Sequence, residues 1–469
     1  MHWTDVQATM AAGYEPTWDS LETHAVPAWY HDAKLGIFIH WGVYSVPAYA
    51  DPESDHAYAE WYPYYMYQPG SATQRYHHST YGDDVEYVDF IDDWQATQWD
   101  PDRWASFFAD VGARYVVMTA EHHDGFPLWP THYTRYNAGE MGPERDIVGE
   151  VSRAVRDHGL RFAGSYHANL NYYQPGFEGP FGHPAYHGST AFDDTDPRPE
   201  YVDFMNAKHR ELIRRYQPDL LWFDTPQADA EQLRAKELIA EYYTVAETWG
   251  KEVLVNDRAS TDHDSLAGLE QGDVGGFRGD FATPEYAAFD EIQPFKWEAC
   301  RGIGNSFGYN AQEGPEHHLT GEALVHRLVD IVSKNGNLLI NVGPTADGTI
   351  PDLQRQPLVG LGSWLQTNGN AIFGTRPWTH AEDSVSEVEV RYTWNDGTLY
   401  ATALAWPGDT LTLHPGGSVS TATIDRVRLL ATDEELDVTE RGKDLSIDLS
   451  GHRRNNIPAM TVALDGVAR

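Results

Sequence analysis

The stretch LLWFDT, residues 220–225, places a carboxylate directly after four bulky apolar residues. Such a run predicts a buried strand, and a carboxylate at its end is costly unless it is paired or used. Asp224 could cap a following helix, or it could attack the anomeric carbon of a sugar as a nucleophile. Because Trp222 and Phe223 make its surroundings aromatic, we favour the second interpretation.

Nearly every apolar run before residue 376 ends in a side chain that can do chemistry. The runs are 35–42, 113–123, 160–168, 220–224, 252–258 and 337–344. The side chains at their ends are His40, His122, His123, Tyr166, Asp224 and Arg258. Arg258 could be a buried salt-bridge partner or a clamp on a substrate or carboxylate, and the residues alone leave both roles open.

Attack on an anomeric carbon needs a second carboxyl group that protonates the leaving oxygen. The candidates in loops between the apolar runs are Glu60, Glu270, Glu285 and Glu298. Glu285 lies in the aromatic-flanked segment FATPEYAAF, and Glu298 follows a tryptophan in KWEACRG. No physical feature of the sequence ranks these four residues firmly.

The adjacent pair His122 and His123 raises the question of a metal site. Neighbouring residues on a strand point to opposite faces, so we expect that the two cannot share one ion. The HExxH and CxxC patterns are absent. We therefore predict no catalytic metal, and we expect these imidazoles, with His40, to hydrogen-bond sugar hydroxyls.

The elements that position these residues alternate between strand and helix up to about residue 376. In DPDRWASFFADVGA, an aspartate and a proline predict the start of a helix. In GEALVHRLVDIVSKNG, the Asn335–Gly336 pair predicts a helix end. Such alternation implies parallel strands joined by crossover helices. A (β/α)8 barrel collects residues from many strand ends, whereas an open sheet gathers ligands at one switch point. We therefore predict a barrel over residues 1–376.

After residue 376 the apolar period changes to two. Val388, Val390, Tyr392 and Trp394 share one face, and an NDG turn then predicts a hairpin. Further strand patterns continue to the end of the chain. We predict a separate antiparallel β-sandwich over residues 377–469.

The overall charge excludes some partners. The chain of 469 residues has a formal net charge of −38, which argues against nucleic acid and anionic membranes. Only 7 of its 33 basic residues are lysines. An acidic, lysine-poor composition is typical of proteins that work in concentrated salt, although an ordinary acidic enzyme would also fit.

Other global features bear on localisation. The single cysteine, Cys300, excludes an intrachain disulfide. With neither a secretory signal pattern nor an apolar run of membrane-spanning length, we expect a soluble, cytoplasmic protein. A homo-oligomer is left open.

Several long segments make the chain similar to the α-L-fucosidases of glycoside hydrolase family 29 over nearly its whole length. They are WYHDAKLGIFIHWGVYSVPAY (29–49), EWY (60–62), RYHHSTYG (75–82), ARYVVMTAEHHDGF (113–126), LLWFD (220–224), KWEACRGIGNSFGYN (296–310) and VDIVSKNGNLLINVGPTADGTI (329–350). The resemblance implies a catalytic barrel, a C-terminal β-sandwich, and a retaining double displacement without a metal or cofactor.

By the same resemblance, Asp224 corresponds to the family's nucleophile. The positions that correspond to fucose-binding residues are His40, Glu60, Trp61, His122, His123, Tyr166, Trp222, Arg258 and Phe307. The fucose methyl group needs an apolar wall, which Trp222 and Phe307 would supply. The TPEY segment resembles the acid/base stretch of one subgroup, and this favours Glu285.

The chain departs from the family pattern at several places. Glu121 stands where many members have lysine, SYHANLNYY replaces a tyrosine–serine pattern, and residues 259–284 match little. These departures affect the preferred aglycone more than the reaction. The expected activity is removal of terminal α-L-fucosyl residues from glycans. The alternatives are a retaining glycosidase for a galactoside-like sugar and an inactive fucose-binding protein.

Overall fold

The computed structural model describes most of the chain. The described residues are 13–54, 57–167, 199–224, 230–259, 278–416, 419–452 and 457–469. They form an α/β barrel followed by an antiparallel β domain, as the sequence predicts. In this described part, no helix is both long and apolar enough to cross a membrane.

Seven parallel strands form the curled sheet of the barrel. They are β1 (Leu35–Ile39), β2 (Tyr115–Glu121), β3 (Arg161–Tyr166), β4 (Leu220–Phe223), β5 (Leu254–Val255), β6 (Trp297–Gly302) and β7 (Gly336–Val342). Their order across the sheet is β5-β4-β3-β2-β1-β7-β6. The predicted apolar runs account for six of these strands, and β6 was not predicted as a strand.

An irregular segment lies between the two edge strands β5 and β6. Phe281 forms a parallel bridge with Asn256, just after β5, while Ala282 and Glu285 bridge Trp297 and Cys300 of β6. Backbone hydrogen bonds follow the same path, for example from the Glu298 amide to the Ala282 carbonyl at 2.8 Å. This closing segment (residues 280–286) therefore takes the eighth position around the barrel.

Helices and turns connect the strands. The α-helices are α1 (Trp18–Leu21), α2 (Ala28–Ala33), α3 (Tyr62–Tyr65), α4 (Ala72–Thr80), α5 (Pro101–Asp110), α6 (Ile147–Asp157), α7 (Pro199–Tyr216), α8 (Ala235–Trp249), α9 (Gly321–Ser333) and α10 (Asp352–Asn368). The 3-10 turns are Val43–Ser45, Ala59–Trp61, Tyr87–Ile91, Asp257–Ala259, Pro315–His317 and Gly369–Ala371.

The predicted helix ends have the expected caps. The Asp100 side chain accepts hydrogen bonds from the amides of Asp102 and Arg103, and Pro101 occupies the first turn of α5. After α9, Asn335 has a φ of 76°, which ends the helix before β7 begins at Gly336.

Alternate residues of the barrel strands point to opposite faces. Phe38, Ala163, Leu220 and Trp222 belong to a core cluster inside the barrel. Ile37, Phe162, Leu221 and Phe223 belong to the larger cluster that includes residues of the surrounding helices. This period of two decides which side chains at the strand ends can reach the mouth of the barrel.

The C-terminal domain contains two antiparallel sheets. Their strands are β8 (Arg376–Glu382), β9 (Val390–Asn395), β10 (Thr398–Ala403), β11 (Thr410–Leu413), β12 (Arg426–Leu429), β13 (Glu434–Glu435), β14 (Val438–Arg441), β15 (Asp444–Asp448) and β16 (Met460–Asp465). The six-stranded sheet has the order β13-β12-β16-β10-β9-β8, and the three-stranded sheet has the order β11-β15-β14.

One hydrophobic core joins these two sheets. Tyr392 and Val462 of the larger sheet and Leu411 and Ile447 of the smaller sheet belong to the same buried cluster. The NDG turn joins β9 to β10 as a hairpin, with φ of 44° at Asp396 and 83° at Gly397. Strand β8 begins at Arg376, so it spans the predicted domain boundary at 376/377, which stays a prediction.

Candidate active site

Asp224 follows β4 and lies at the mouth of the barrel, where Arg258, His167 and, at 3.9 Å, His123 contact it. Arg258 Nη1 lies 2.8 Å from Asp224 Oδ1, and His167 Nδ1 lies 3.1 Å from Asp224 Oδ2. Burial alone would raise the pKa of Asp224, but His167 and Arg258 outweigh it and hold this pKa well below its ordinary value. The carboxyl group is therefore ionised, as a nucleophile requires.

Arg258 also contacts the second catalytic candidate. The same Nη1 atom lies 3.0 Å from Glu285 Oε2, so the two carboxylate oxygens are within about 6 Å of each other. Retaining glycosidases typically hold their two carboxyl groups about 5–5.5 Å apart. Although burial lowers it, the pKa of Arg258 is raised overall by Asp224 and Glu285, which keeps the guanidinium charged.

Glu285 is held at the end of the closing segment. Tyr58 donates a hydrogen bond from its hydroxyl to Glu285 Oε1 at 3.0 Å. Thr283, two residues earlier, accepts hydrogen bonds from Arg258 at both its hydroxyl (3.0 Å) and its carbonyl (3.1 Å). Oε1 is thereby engaged with Tyr58, while Oε2 faces Arg258 and Asp224.

The other carboxyl candidates are in different environments. Glu298 is fully buried, and it accepts hydrogen bonds from Tyr30, Tyr115 and Trp222. Both of its oxygens are engaged inside the barrel, which leaves neither free to protonate a leaving group. Glu270 lies outside the described residues.

Glu60 is a buried acid near Glu285. Its Oε2 accepts hydrogen bonds from the Gly308 amide at 2.7 Å and from the Ser306 hydroxyl at 3.2 Å. Burial raises the pKa of Glu60 to about 7, although these hydrogen bonds lower it, and the charge of Glu285 adds to the increase. Among the described acids, Glu285 is the one that shares Arg258 with Asp224.

The predicted histidines come together in one cluster. The ring centre of His122 lies 4.6 Å from that of His123, 5.5 Å from that of His40 and 4.7 Å from that of His167. Both His122 and His123 face the cluster because β2 ends at Glu121, so the expectation that they point to opposite faces is wrong. Burial and the neighbouring histidines hold the pKa values of His40 and His122 well below their ordinary range. These rings are thus neutral.

Aromatic side chains line the other parts of the site. Trp222 and Phe307 both pack against Phe38, with ring centres at 5.0 Å and 6.5 Å. Phe307 also lies 5.0 Å from His40, and the Arg258 guanidinium stacks over Trp222 at 4.9 Å. Trp61 meets the ring of His123 edge-on at 5.1 Å. An apolar wall therefore stands beside polar groups that can bind hydroxyls.

Tyr166 is the predicted site residue that the fold does not bring into this cluster. Its ring packs on His209 of α7, with 3.5 Å between centroids, outside the barrel. Tyr166 has the same parity along β3 as Phe162, which faces the helices. The next residue, His167, faces inward instead, and its Nε2 lies 2.6 Å from the Ser165 hydroxyl.

Sequence reasoning missed His167, Ser165, Tyr58 and Asn256 as parts of the site. The Asn256 side chain binds the amide of Phe223 (2.8 Å) and the carbonyl of Phe223 (2.9 Å), so it fixes the strand end that carries Asp224. A signal existed for His167, because counting by two from the interior residue Ala163 leads through Ser165 to His167. No comparable local signal marks Tyr58.

Glu121, at which the sequence departs from the family pattern, is paired with a buried lysine. Glu121 and Lys208 form a hydrogen-bonded ion pair in which both side chains are fully buried. Burial raises the pKa of Glu121 and lowers that of Lys208, and each is opposed by the charge of the other. The pair ties the end of β2 to α7 on the outer face, away from the clustered histidines.

The arrangement offers the groups that cleavage of a glycosidic bond requires. It offers an ionised carboxylate, a second carboxyl group that shares Arg258 with it, neutral imidazoles for sugar hydroxyls and an apolar wall. An ion could compete for the same imidazoles, because His40, His122 and His167 offer ligand atoms within 4.8 Å of one another.

Comparisons with known proteins agree with this geometry. A family model described as Alpha-L-fucosidase matches residues 2–370, and a model described as Alpha-L-fucosidase C-terminal domain matches residues 382–464. The α-L-fucosidase of Dictyostelium discoideum is 34% identical over 411 residues, which cover 84% of this chain and 82% of that protein. The plasma α-L-fucosidase of Homo sapiens is 34% identical, with 87% of this chain and 83% of that protein covered.

A solved structure extends the similarity to the whole fold. The crystal structure of Thermotoga maritima α-fucosidase in complex with a mechanism-based inhibitor is 38% identical to this chain. It superimposes with a TM-score of 0.82 and covers 96% of this chain and 100% of its own.

Proposed function

The chain belongs to the α-L-fucosidase family, glycoside hydrolase family 29, and we propose that it removes terminal α-L-fucosyl residues with retention of configuration at the anomeric carbon. One observation carries the retaining mechanism. Asp224 and Glu285 bind the same Arg258 Nη1 atom, at 2.8 Å and 3.0 Å, so they are close enough for double displacement.

In the first step, Asp224 attacks the anomeric carbon while the bond to the leaving oxygen breaks. The substrate enters between the two carboxyl groups and displaces Arg258 from Glu285, which acts in its protonated form and becomes a carboxylate when it gives its proton to the leaving oxygen. Because Tyr58 occupies Oε1, Oε2 is the oxygen that carries the proton to the leaving group. The product of this step is a fucosyl-enzyme ester on Asp224.

In the second step, water attacks the anomeric carbon and Glu285 accepts its proton. The ester bond breaks, and Asp224 leaves as a carboxylate. Arg258 and His167, which lower the pKa of Asp224 in the free enzyme, stabilise this leaving carboxylate. Two inversions at the same carbon give overall retention.

The histidine cluster and the aromatic wall would recognise the sugar. His40, His122 and His123 would bind ring hydroxyls, and Trp222 with Phe307 would contact the fucose methyl group. Support comes from the Thermotoga maritima enzyme, whose structure has also been determined in complex with fucose, at 38% identity to this chain.

The first test is release of 4-nitrophenol from 4-nitrophenyl α-L-fucoside, with the β-D-galactoside assayed in parallel. We expect turnover of the fucoside, and NMR should detect the α-anomer of fucose before mutarotation. Preferential cleavage of the galactoside, or initial release of the β-anomer, would contradict the proposal.

Azide separates the roles of the two carboxyl groups. In Asp224→Gly, turnover should fall more than about a thousandfold, and azide entering the vacated face should yield β-L-fucosyl azide. In Glu285→Gln, azide should instead intercept the ester and yield α-L-fucosyl azide. The matched Glu298→Gln variant should show no azide product, because Glu298 is engaged by three donors inside the barrel. If Glu298→Gln gave the α-azide and Glu285→Gln did not, the acid/base assignment would be wrong.

A further inference from the structure

Three histidines of the sugar pocket have the chemistry of a metal site. His40, His122 and His167 are at most 3% exposed, and their available ligand atoms lie within 4.8 Å of one another. Each of the three residues directly follows a different strand, β1, β2 or β3, so the tertiary fold brings them together.

Two of these rings carry a buried nitrogen without a hydrogen bond. His122 Nδ1 has no partner, and His167 Nδ1, although 3.1 Å from Asp224 Oδ2, is not aligned with it for a hydrogen bond. Buried polar atoms in native proteins nearly always have a partner. His122 Nδ1 therefore points to a ligand that binds among the rings, and His167 Nδ1 can reach the same ligand when it gives up its contact with Asp224.

The third ring is held as metal-ligating histidines usually are. His40 Nδ1 donates to Asn341 Oδ1 at 2.7 Å, and Asn341 in turn donates to the Phe307 carbonyl at 2.7 Å. A hydrogen bond at one ring nitrogen fixes the tautomer and leaves the lone pair on the other nitrogen, Nε2, for a ligand.

The class of cation follows from the donors. Neutral imidazoles suit zinc, copper and nickel, whereas magnesium and calcium prefer oxygen ligands. Nitrogen ligands around a tetrahedral zinc ion, with Zn–N bonds of about 2.0–2.1 Å, lie about 3.4 Å from one another. Rotations of the three rings would bring their ligand atoms from within 4.8 Å to this spacing. The net charge of −38 also raises the local concentration of cations.

We propose that Zn²⁺, or a divalent cation of the same chemistry, binds to His40, His122 and His167 and excludes the fucosyl group from the pocket. The cation is an inhibitor and not a cofactor. The competition with fucose rests on the proposed function, whereas binding of the cation itself does not.

A second set of ligands is less suitable. His123, His167 and Asp224 also offer atoms within 4.8 Å of one another. Asp224, however, already forms an ion pair with Arg258 at 2.8 Å. A cation in this second set would have to bind the Asp224 carboxylate in competition with the guanidinium, which would also repel it.

Isothermal titration calorimetry with ZnCl₂ in chelator-free buffer measures binding of the cation directly. A titration with L-fucose alone comes first, because failure of L-fucose to bind would count against the proposed function and not against the cation site. With L-fucose at about ten times its Kd, the apparent Zn²⁺ affinity should fall about tenfold. Zn²⁺ binding that L-fucose leaves unchanged, or no Zn²⁺ binding at millimolar concentration, would overturn the proposal.

Variants identify the ligands without relying on activity. His40→Gln, His122→Gln and His167→Gln should each weaken Zn²⁺ binding by at least about tenfold. The matched variant His123→Gln, in the same cluster, should stay within about threefold of wild type. Near-ultraviolet circular dichroism checks that each variant folds. Loss of affinity in His123→Gln and Asp224→Asn, with His40→Gln and His122→Gln unaffected, would place the cation in the second set and reject this one.

Discussion

At the scale of single residues, Arg258 links the two carboxyl groups of the site. The sequence left open whether it is a salt-bridge partner or a clamp on a substrate or carboxylate. It forms salt bridges with both Asp224 and Glu285, and a role in holding substrate stays a prediction. The stack on Trp222 and the hydrogen bonds to Thr283 restrict its position. Arg258 therefore bridges the two carboxyl groups and favours the ionised form of Asp224.

Replacing Arg258 should change the pH dependence of catalysis. Because Arg258 helps to hold the pKa of Asp224 below its ordinary value, Arg258→Gln should move the acidic limb of the kcat/KM profile to higher pH. This limb reports the free enzyme. The control is Arg161→Gln, which removes an arginine at the start of β3 that is paired with Asp219. In this control the acidic limb should stay in place. An unshifted limb in Arg258→Gln would show that Arg258 does not control ionisation of the nucleophile.

Glu60 should make stability depend on pH. The unfolded chain ionises this group near its ordinary value of 4.5, whereas burial raises the pKa of Glu60 to about 7 in the folded protein. The contribution of Glu60 to the free energy of unfolding therefore falls as pH rises from about 4.5 to about 7. Glu60→Gln lacks this loss, so its Tm relative to wild type should be higher at about pH 8 than at about pH 4.5.

The exposed Glu322 provides a matched control for this effect. Glu322→Gln makes the same chemical change on the surface of α9, so its Tm relative to wild type should vary less between the two pH values. Equal behaviour of the two variants would mean that burial of Glu60 does not govern the dependence.

At the scale of elements, the period of two along the strands selects the site residues. Phe38 leads to His40, Ala163 leads to His167, and Leu220 leads to Asp224, each along the interior face of its strand. On β2 the pairing register shifts between Thr119 and Glu121. The shift explains why Glu121 pairs with Lys208 outside while His122 faces inward.

The same parity makes a prediction about Tyr166. The family resemblance implies a role in fucose binding, but its hydroxyl lies outside the barrel, 3.5 Å from the Met205 carbonyl. Tyr166→Phe should therefore leave KM for 4-nitrophenyl α-L-fucoside within about twofold of wild type, since the partners of its hydroxyl, Met205 and Glu121, lie outside the sugar pocket. His167→Phe, one residue further on, should lower kcat strongly. A large rise of KM in Tyr166→Phe would restore the role that the resemblance implies.

At the scale of the whole molecule, the net charge of −38 should control stability. Self-repulsion of acidic groups weakens the compact state, and salt screens it. We therefore expect Tm to rise by several degrees between low salt and about 2 M KCl. Choline chloride at the same ionic strength should give a similar rise if screening is the cause. A flat profile in both salts would reject adaptation to high salt.

Much of the architecture follows from the sequence alone. The apolar runs, the capping residues of α5 and the NDG turn predict strands, a helix start and a hairpin, and these features depend on neighbouring residues. Asp224 could be singled out for the same reason, because the cost of a carboxylate after LLWF is a local fact.

Only the tertiary structure decided how the residues meet. Strand β6 and the closing segment lack a regular apolar period, so their place in the barrel depends on bridges to distant strands. Glu60, Glu285 and Glu298 look alike in the sequence. They differ because burial, hydrogen bonds and distance to Arg258 arise from residues up to hundreds of positions away. Local patterns thus determined the elements and singled out Asp224 as the candidate nucleophile, whereas long-range contacts distinguish Glu285 from the other candidate acids.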